Sequence, residues 1–149
     1  MIRKLSIVIV VALSLAGCAS AAKRVEQGQE LQRAGRPAEA AERYIQALKK
    51  DQKLDSARVG LRTAGAAAID GYLRTAGAPT TSADGAADAY LAIDDLTRRA
   101  LEVGIYLVEA NDYATRRRAA LDNAIASDVA EARQLGSRHQ FALDRKSVV

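Results

Sequence analysis

Apolar residues fall into two patterns along this chain. From Leu5 to Ala16 they run almost unbroken, LSIVIVVALSLA, with only Ser6 and Ser14 between them. From Ala19 onward they recur three and four residues apart, the spacing that lines one side of an α-helix. Ala19–Ala34 reads as a first helix. Val25, Gly28, Leu31 and Gln32 share one side, with Lys23, Arg24, Glu26, Glu30 and Arg33 around them. Gly35-Arg36-Pro37 reads as a turn, and Pro37 suits a first helical turn, where the missing N–H costs no bond. A second helix is expected over Pro37–Lys50, with Ala40, Ala41, Tyr44, Ala47 and Leu48 inward. Lys49 and Lys50 stand at its C-terminal end, where cations complement the helix dipole.

Leu54–Arg62 continues as helix, with Ala57, Leu61 and Ala64 placed to pack back on the first two. Gly65 and Gly71 weigh against one unbroken helix here, since each costs about 1 kcal/mol relative to Ala. Gly77–Ser82 (GAPTTS) is the clearest break, and Ser82 or Asp84 can cap the helix after it. That helix is expected over Ala83–Val108, with Ala86, Tyr90, Ile93, Leu96, Ala100, Leu101 and Val103 inward and a bend near Gly104. Asn111-Asp112 breaks the chain again. A last helix is expected over Tyr113–Leu135, burying Leu121, Ala124, Ile125, Val129, Ala132 and Leu135. Gly136 is expected to end it, with Ser137–Leu143 starting another. No Trp, one Phe, two Pro and few β-branched residues after the first segment agree with helix throughout. The fold class is all-α: a helical hairpin followed by a bundle of longer helices, with the N-terminal apolar segment separate.

The hairpin resembles a tetratricopeptide repeat over about residues 21–54. Gly28 takes the glycine position of that repeat's first helix, and Leu31 replaces the usual Tyr three residues on. Ala40, Tyr44 and Ala47 match the small–aromatic–small set of the second helix. Small residues let two helix backbones cross closely while the aromatic ring fills the space beside them. Arg24, Gln27 and Gln52 depart from the repeat's Trp, Leu and Pro. The 34-residue period does not continue, because Arg62 and Arg74 fall where small residues are expected. The generic alternative is a helical hairpin of no particular family. The resemblance implies a surface that binds segments of other proteins.

The N-terminus resembles a bacterial lipoprotein signal. Arg3 and Lys4 precede the apolar run, and Leu15-Ala16-Gly17-Cys18 closes it. The run is too short for a spanning helix, which needs roughly 20 apolar residues, and has the size of a signal-peptide core. Cys18 is the single cysteine of 149 residues, so no internal disulfide can use it. The resemblance implies that residues 1–17 are removed and that Cys18 is lipidated, with 18–20 as a short linker. Ala19 in the following position, rather than aspartate, implies an outer-membrane destination in a bacterium that has one. The alternative is an ordinary secretory signal cut near Ala19 or Ala22.

Asp144-Arg145-Lys146-Ser147-Val148-Val149 can be encoded by GAT-CGG-AAG-AGC-GTC-GTG, which resembles a sequencing adaptor read in frame. The expectation is that genuine sequence stops near Leu143 and that the gene continues. The alternative is a genuine basic tail. Domains are then expected at 21–77, the hairpin with its capping helices, and at 78–143, a long-helix segment cut short. Charge follows the same boundaries. The chain carries 22 basic and 18 acidic residues, but Cys18–Leu143 holds 18 and 17. The near-neutral remainder gives no footing for nucleic-acid binding.

Chemistry is sparse. Arg116-Arg117-Arg118 could bind an anionic partner such as phospholipid headgroups or a phosphorylated glycan, but they point about 100° apart on a helix and cannot form one tight clamp. The expected reading is a solvated face pairing with Asp112 and Asp122, and Arg98-Arg99 beside Asp94, Asp95 and Glu102 has the same two readings. Asp95 and Arg99 are four apart, an ordinary helix pair, and adjacent Asp94-Asp95 face different ways. His139 has no metal-ligand spacing around it. Tyr44, Tyr72, Tyr90, Tyr106 and Tyr113 read as interhelix filler, one or two of which could line a peptide groove. The expectation is a non-enzymatic envelope lipoprotein without metal or cofactor other than lipid on Cys18. It faces the periplasm and acts as a scaffold or adaptor for envelope proteins yet to be identified. The alternatives are a structural lipoprotein contacting lipid or peptidoglycan, or a non-catalytic accessory subunit of an envelope enzyme.

Overall fold

A computed structural model describes residues 20–107 and 111–146. The fold is all-α, with no strand among the described residues. Helix α1 covers residues 20–33, α2 Pro37–Leu48, α3 Asp55–Gly77, α4 Ala83–Glu102 and α5 Tyr113–Lys146.

The helix ends follow from local chemistry. At the end of α1, Gly35 sits at φ 71°, a conformation that Cβ-bearing residues resist. The N–H groups of Arg36 and Gly35 then reach back to the carbonyls of Leu31 (2.9 Å) and Gln32 (3.0 Å), the Schellman arrangement. Pro37 opens α2 immediately afterwards. The α2–α3 connection folds tightly: the Lys53 N–H donates to Asp51 Oδ1 at 3.0 Å. Ser82 caps α4, its hydroxyl accepting the Gly85 N–H at 3.1 Å.

Three expectations are corrected. First, α2 stops at Leu48, and α3 is unbroken through Gly65 and Gly71 to Gly77. A Cβ at Gly65 would meet the Leu107 side chain at 2.8 Å, so packing against the bare backbone offsets the helix cost of that glycine. Second, α4 does not bend near Gly104 and continue to Val108; it ends at Glu102. Gly104 at φ 74° closes a second Schellman turn, with the Ile105 N–H on the Ala100 carbonyl (2.9 Å) and the Gly104 N–H on Leu101 (2.9 Å). That turn buries Ile105 and leaves Leu101, expected inward, 63% exposed. Third, Gly136 does not end α5, which runs on to Lys146. Ile125, Val129, Ala132 and Leu135, expected to be buried, are exposed, because no other described element lies against that stretch.

Two compact units divide the chain. The first comprises residues 20–72 and 92–107, the second residues 73–91 and 111–146. In the first, Ala57, Leu61 and Ala64 are fully buried, as their spacing predicts, beside Ala40, Ala41, Ile45, Ala47, Leu48, Ile93 and Ile105. In the second, the core centres on Tyr90 and Tyr113. Their ring centroids lie 5.6 Å apart at 57°, and the Tyr113 hydroxyl donates to the Tyr90 carbonyl at 3.1 Å.

Candidate functional site

The crossing of the hairpin is built around Tyr44. Ala40 and Ala47, one turn either side of it on α2, are fully buried, and the small side chains leave the ring room to lie flat between helices. A Cβ at Gly28 on α1 would stand 2.8 Å from the ring, and one at Gly60 on α3 would stand 2.5 Å from it. Any side chain at either position would collide with the ring. Tyr44 is therefore wedged between two bare stretches of helix backbone and is only 1% exposed. Its hydroxyl donates to Gln32 Oε1 at 2.5 Å, joining α2 to the last turn of α1. Burial pushes the Tyr44 pKa up, and the nearby Arg33 charge offsets part of that rise.

Of the five packing residues expected from the sequence, Gly28 and Tyr44 meet at this crossing, and Ala40 and Ala47 are fully buried on the same helix as Tyr44. Leu31 is half-buried and lines a surface groove of about 370 Å³ with Gln27, Glu30, Ala34, Arg36 and Arg43. Gly60 is the member that sequence reasoning missed. Its signal was a glycine inside a helix-forming stretch, but its partner on α2 is not at any local spacing from it.

An ion-pair network ties α2 to α4 in the same unit. Arg99 pairs with Glu42 on α2 and with Asp95 on its own helix at 3.1 Å. Arg98 bridges Asp95 and Glu102, the latter at 2.7 Å. Glu102 also takes Lys49 from the end of α2 at 3.2 Å. The Asp95–Arg99 pair is the one the four-residue spacing predicts. These groups are partly to mostly exposed, so each pair contributes no more than about 1 kcal/mol.

The other residues singled out from the sequence fall away from this crossing. Arg116 pairs with Asp112 at 2.5 Å and Arg118 with Asp122 at 4.0 Å, along one helix as expected; Arg117 is engaged as well. Asp94 is on a groove of about 290 Å³ with Thr97, Arg98, Leu101, Tyr106 and Leu107, of which Tyr106 is 78% exposed. A further groove, of about 360 Å³, lies in the other unit between Ser82, Ala86, Tyr90, Arg116 and Asn123. His139 falls on α5, and its side chain lies outside the described set. So do Leu15, Ala16, Gly17, Cys18 and Ala19, and the tail residues Ser147–Val149. Among the described residues no three His, Cys, Asp or Glu side chains gather to hold a metal ion. None of the described helices is long and apolar enough to cross a membrane.

Comparison with known proteins finds no family model, no curated protein and no solved structure that matches this chain.

Proposed function

We propose that this protein is a lipid-anchored protein of the bacterial envelope whose helical hairpin binds segments of other envelope proteins. One observation carries the reading: a lone cysteine, Cys18, closes Leu15-Ala16-Gly17 directly behind a basic start and a 12-residue apolar run. An apolar run of that length is a signal core rather than a span, and the cysteine stands where a lipobox places the acylated residue. Acyl chains at Cys18 would hold the folded units at the membrane surface. Confinement there raises their effective concentration toward partners in the same compartment. Ala19 favours the outer membrane, with the helices facing the periplasm.

The hairpin supports the second half of the proposal. The close approach of Tyr44 to Gly28, with Ala40 and Ala47 buried on the same helix, supports the resemblance to a tetratricopeptide hairpin, which crosses its two helices through small residues. Such hairpins offer the faces left over from packing to extended or helical segments of a partner. No residue here acts as a catalyst in this reading.

Metabolic labelling with a fatty-acid analogue tests the anchor. Label on the wild-type protein that is absent from Cys18→Ala supports it, and equal labelling of the two overturns it. Crosslinking in intact envelopes tests the scaffold role. Recovery of one defined protein complex supports it, whereas recovery of peptidoglycan or lipid alone supports a structural role instead.

A further inference from the structure

We infer that the end of the first unit nearest Cys18 is a lysine-bearing surface that docks on anionic lipid headgroups. The inference rests on the attachment at Cys18 proposed above. Cys18 is two residues from Ser20, and two residues of chain reach at most about 7 Å in any conformation. An acylated Cys18 therefore holds the start of α1 against the bilayer without a spacer.

The Tyr44 ring shows what shares that end. It touches α1 at Gly28 and α3 at Gly60, so all three helices meet at its level. At 1.5 Å per residue, Ser20 lies about 12 Å beyond that level along α1. Lys49 lies about 8 Å beyond it along α2, and Asp55, where α3 begins, about 8 Å beyond Gly60 in the same direction, with Lys53 two residues earlier in the connection. α1 and α2 are joined at the opposite end, by residues 34–36. The start of α1 and the α2–α3 connection thus lie side by side.

Lysine is distributed accordingly. After Cys18 the chain has five lysines; Lys23, Lys49, Lys50 and Lys53 belong to this end, and Lys146 ends α5. The four at this end are exposed. Arginines are spread along the whole chain, with Arg24 and Arg58 at this end, where Arg58 donates to the Gln52 carbonyl at 3.3 Å; Arg36, Arg98, Arg99 and Arg116 are in ion pairs with carboxylates. At this end the exposed cations are the lysines, while Arg24 and Arg58 are half-buried. A guanidinium suits a fixed carboxylate partner, while a flexible, hydrated ammonium suits a diffuse anionic surface. The acidic groups at this end are Glu26, Asp51, Asp55 and Glu102. The Asp51 carboxylate accepts the Lys53 backbone N–H, and Glu102 holds Lys49. With Arg24 and Arg58 this end carries six cations against these four carboxylates, and the exposed Lys23, Lys50 and Lys53 are the ones assigned to the headgroups. Lysines near an anionic surface act as a second binding signal beside an acyl chain.

The test supplies the tether chemically. The processed chain beginning at Cys18 is coupled through its single thiol to a palmitoyl maleimide, one chain giving only marginal, reversible binding. Its partition is measured on vesicles of phosphatidylcholine, with and without phosphatidylglycerol. We expect about tenfold or stronger binding to the phosphatidylglycerol vesicles at low salt. That gain should vanish in K23Q/K50Q/K53Q and survive in R116Q/R117Q/R118Q, which removes the same charge elsewhere. Equal partition of wild type and the lysine variant on anionic vesicles overturns the inference. So does equal loss in the arginine variant, which would make net charge the cause. Because coupling does not depend on lipidation in the cell, a negative result here leaves the anchor standing, and the acyl-labelling experiment judges the anchor alone.

Discussion

The two units of this chain treat the same helical pattern in opposite ways. In the first, apolar stripes on α1, α2, α3 and the end of α4 are closed against one another. All six of the largest fully buried side chains, Tyr44, Ile45, Leu48, Leu61, Ile93 and Ile105, belong to it. In the second, the core is thin. Of the described residues only Ala87, Ala89, Tyr90, Tyr113 and Ala120 are buried there. Beyond Ala120, α5 carries Ile125, Val129 and Leu135 at 62%, 42% and 56% exposure. Periodicity is necessary for a buried face but does not provide the element that covers it. The first unit has that element and the far part of α5 does not.

The packing of the first unit is tested most directly at Tyr44. Tyr44→Ala removes a fully buried ring that packs against α1 and α3, and should cost about 3–5 kcal/mol in denaturant unfolding. A loss under about 1 kcal/mol would show that the crossing is not where the first unit's stability sits. Gly60→Ala sharpens the point. Alanine for glycine inside a helix ordinarily gains about 1 kcal/mol. Here the added Cβ would press on a ring held from both sides, and a net loss of about 1–3 kcal/mol is expected from the same measurement.

Alkaline titration gives a smaller effect. The folded-state pKa of Tyr44 is raised by burial, so the folded state keeps its proton above the unfolded value of about 10. The stability it contributes is complete below that value and is lost as pH rises through the folded pKa. Unfolding midpoints measured upward from about pH 9 should therefore fall, and fall less in Tyr44→Phe. The smallest effect belongs to the other unit. Replacing Ile125, Val129 or Leu135 by Gln should change stability by less than about 0.5 kcal/mol, since each is already in water. A loss of about 2 kcal/mol from any of them would mean that α5 is covered in solution.

The sequence was informative where structure is local. Pro37, Gly35 and Ser82 mark helix ends by their own backbone or side-chain chemistry, and the turns fall where those residues stand. Gly28, Ala40, Tyr44 and Ala47 follow helical spacing, so the α1–α2 crossing could be read from either helix of the hairpin. The rest is non-local. Gly60 reaches Tyr44, and Arg99 reaches Glu42, across connections that no periodicity encodes. Gly104 reads as a bend because a glycine late in an apolar stripe is compatible with either a bend or a stop; the positive φ and the two returning N–H bonds decide for a stop. The face of α5 reads as buried from a stripe that is real but uncovered.

We propose that the mature protein begins at Cys18 and carries acyl chains there. Mass spectrometry of the N-terminal peptide from membrane-extracted protein tests it most directly. A peptide starting at Cys18 with the added mass of a diacylglycerol thioether is expected. A peptide starting at Ala19 or beyond, or Cys18 with a free thiol, would contradict it.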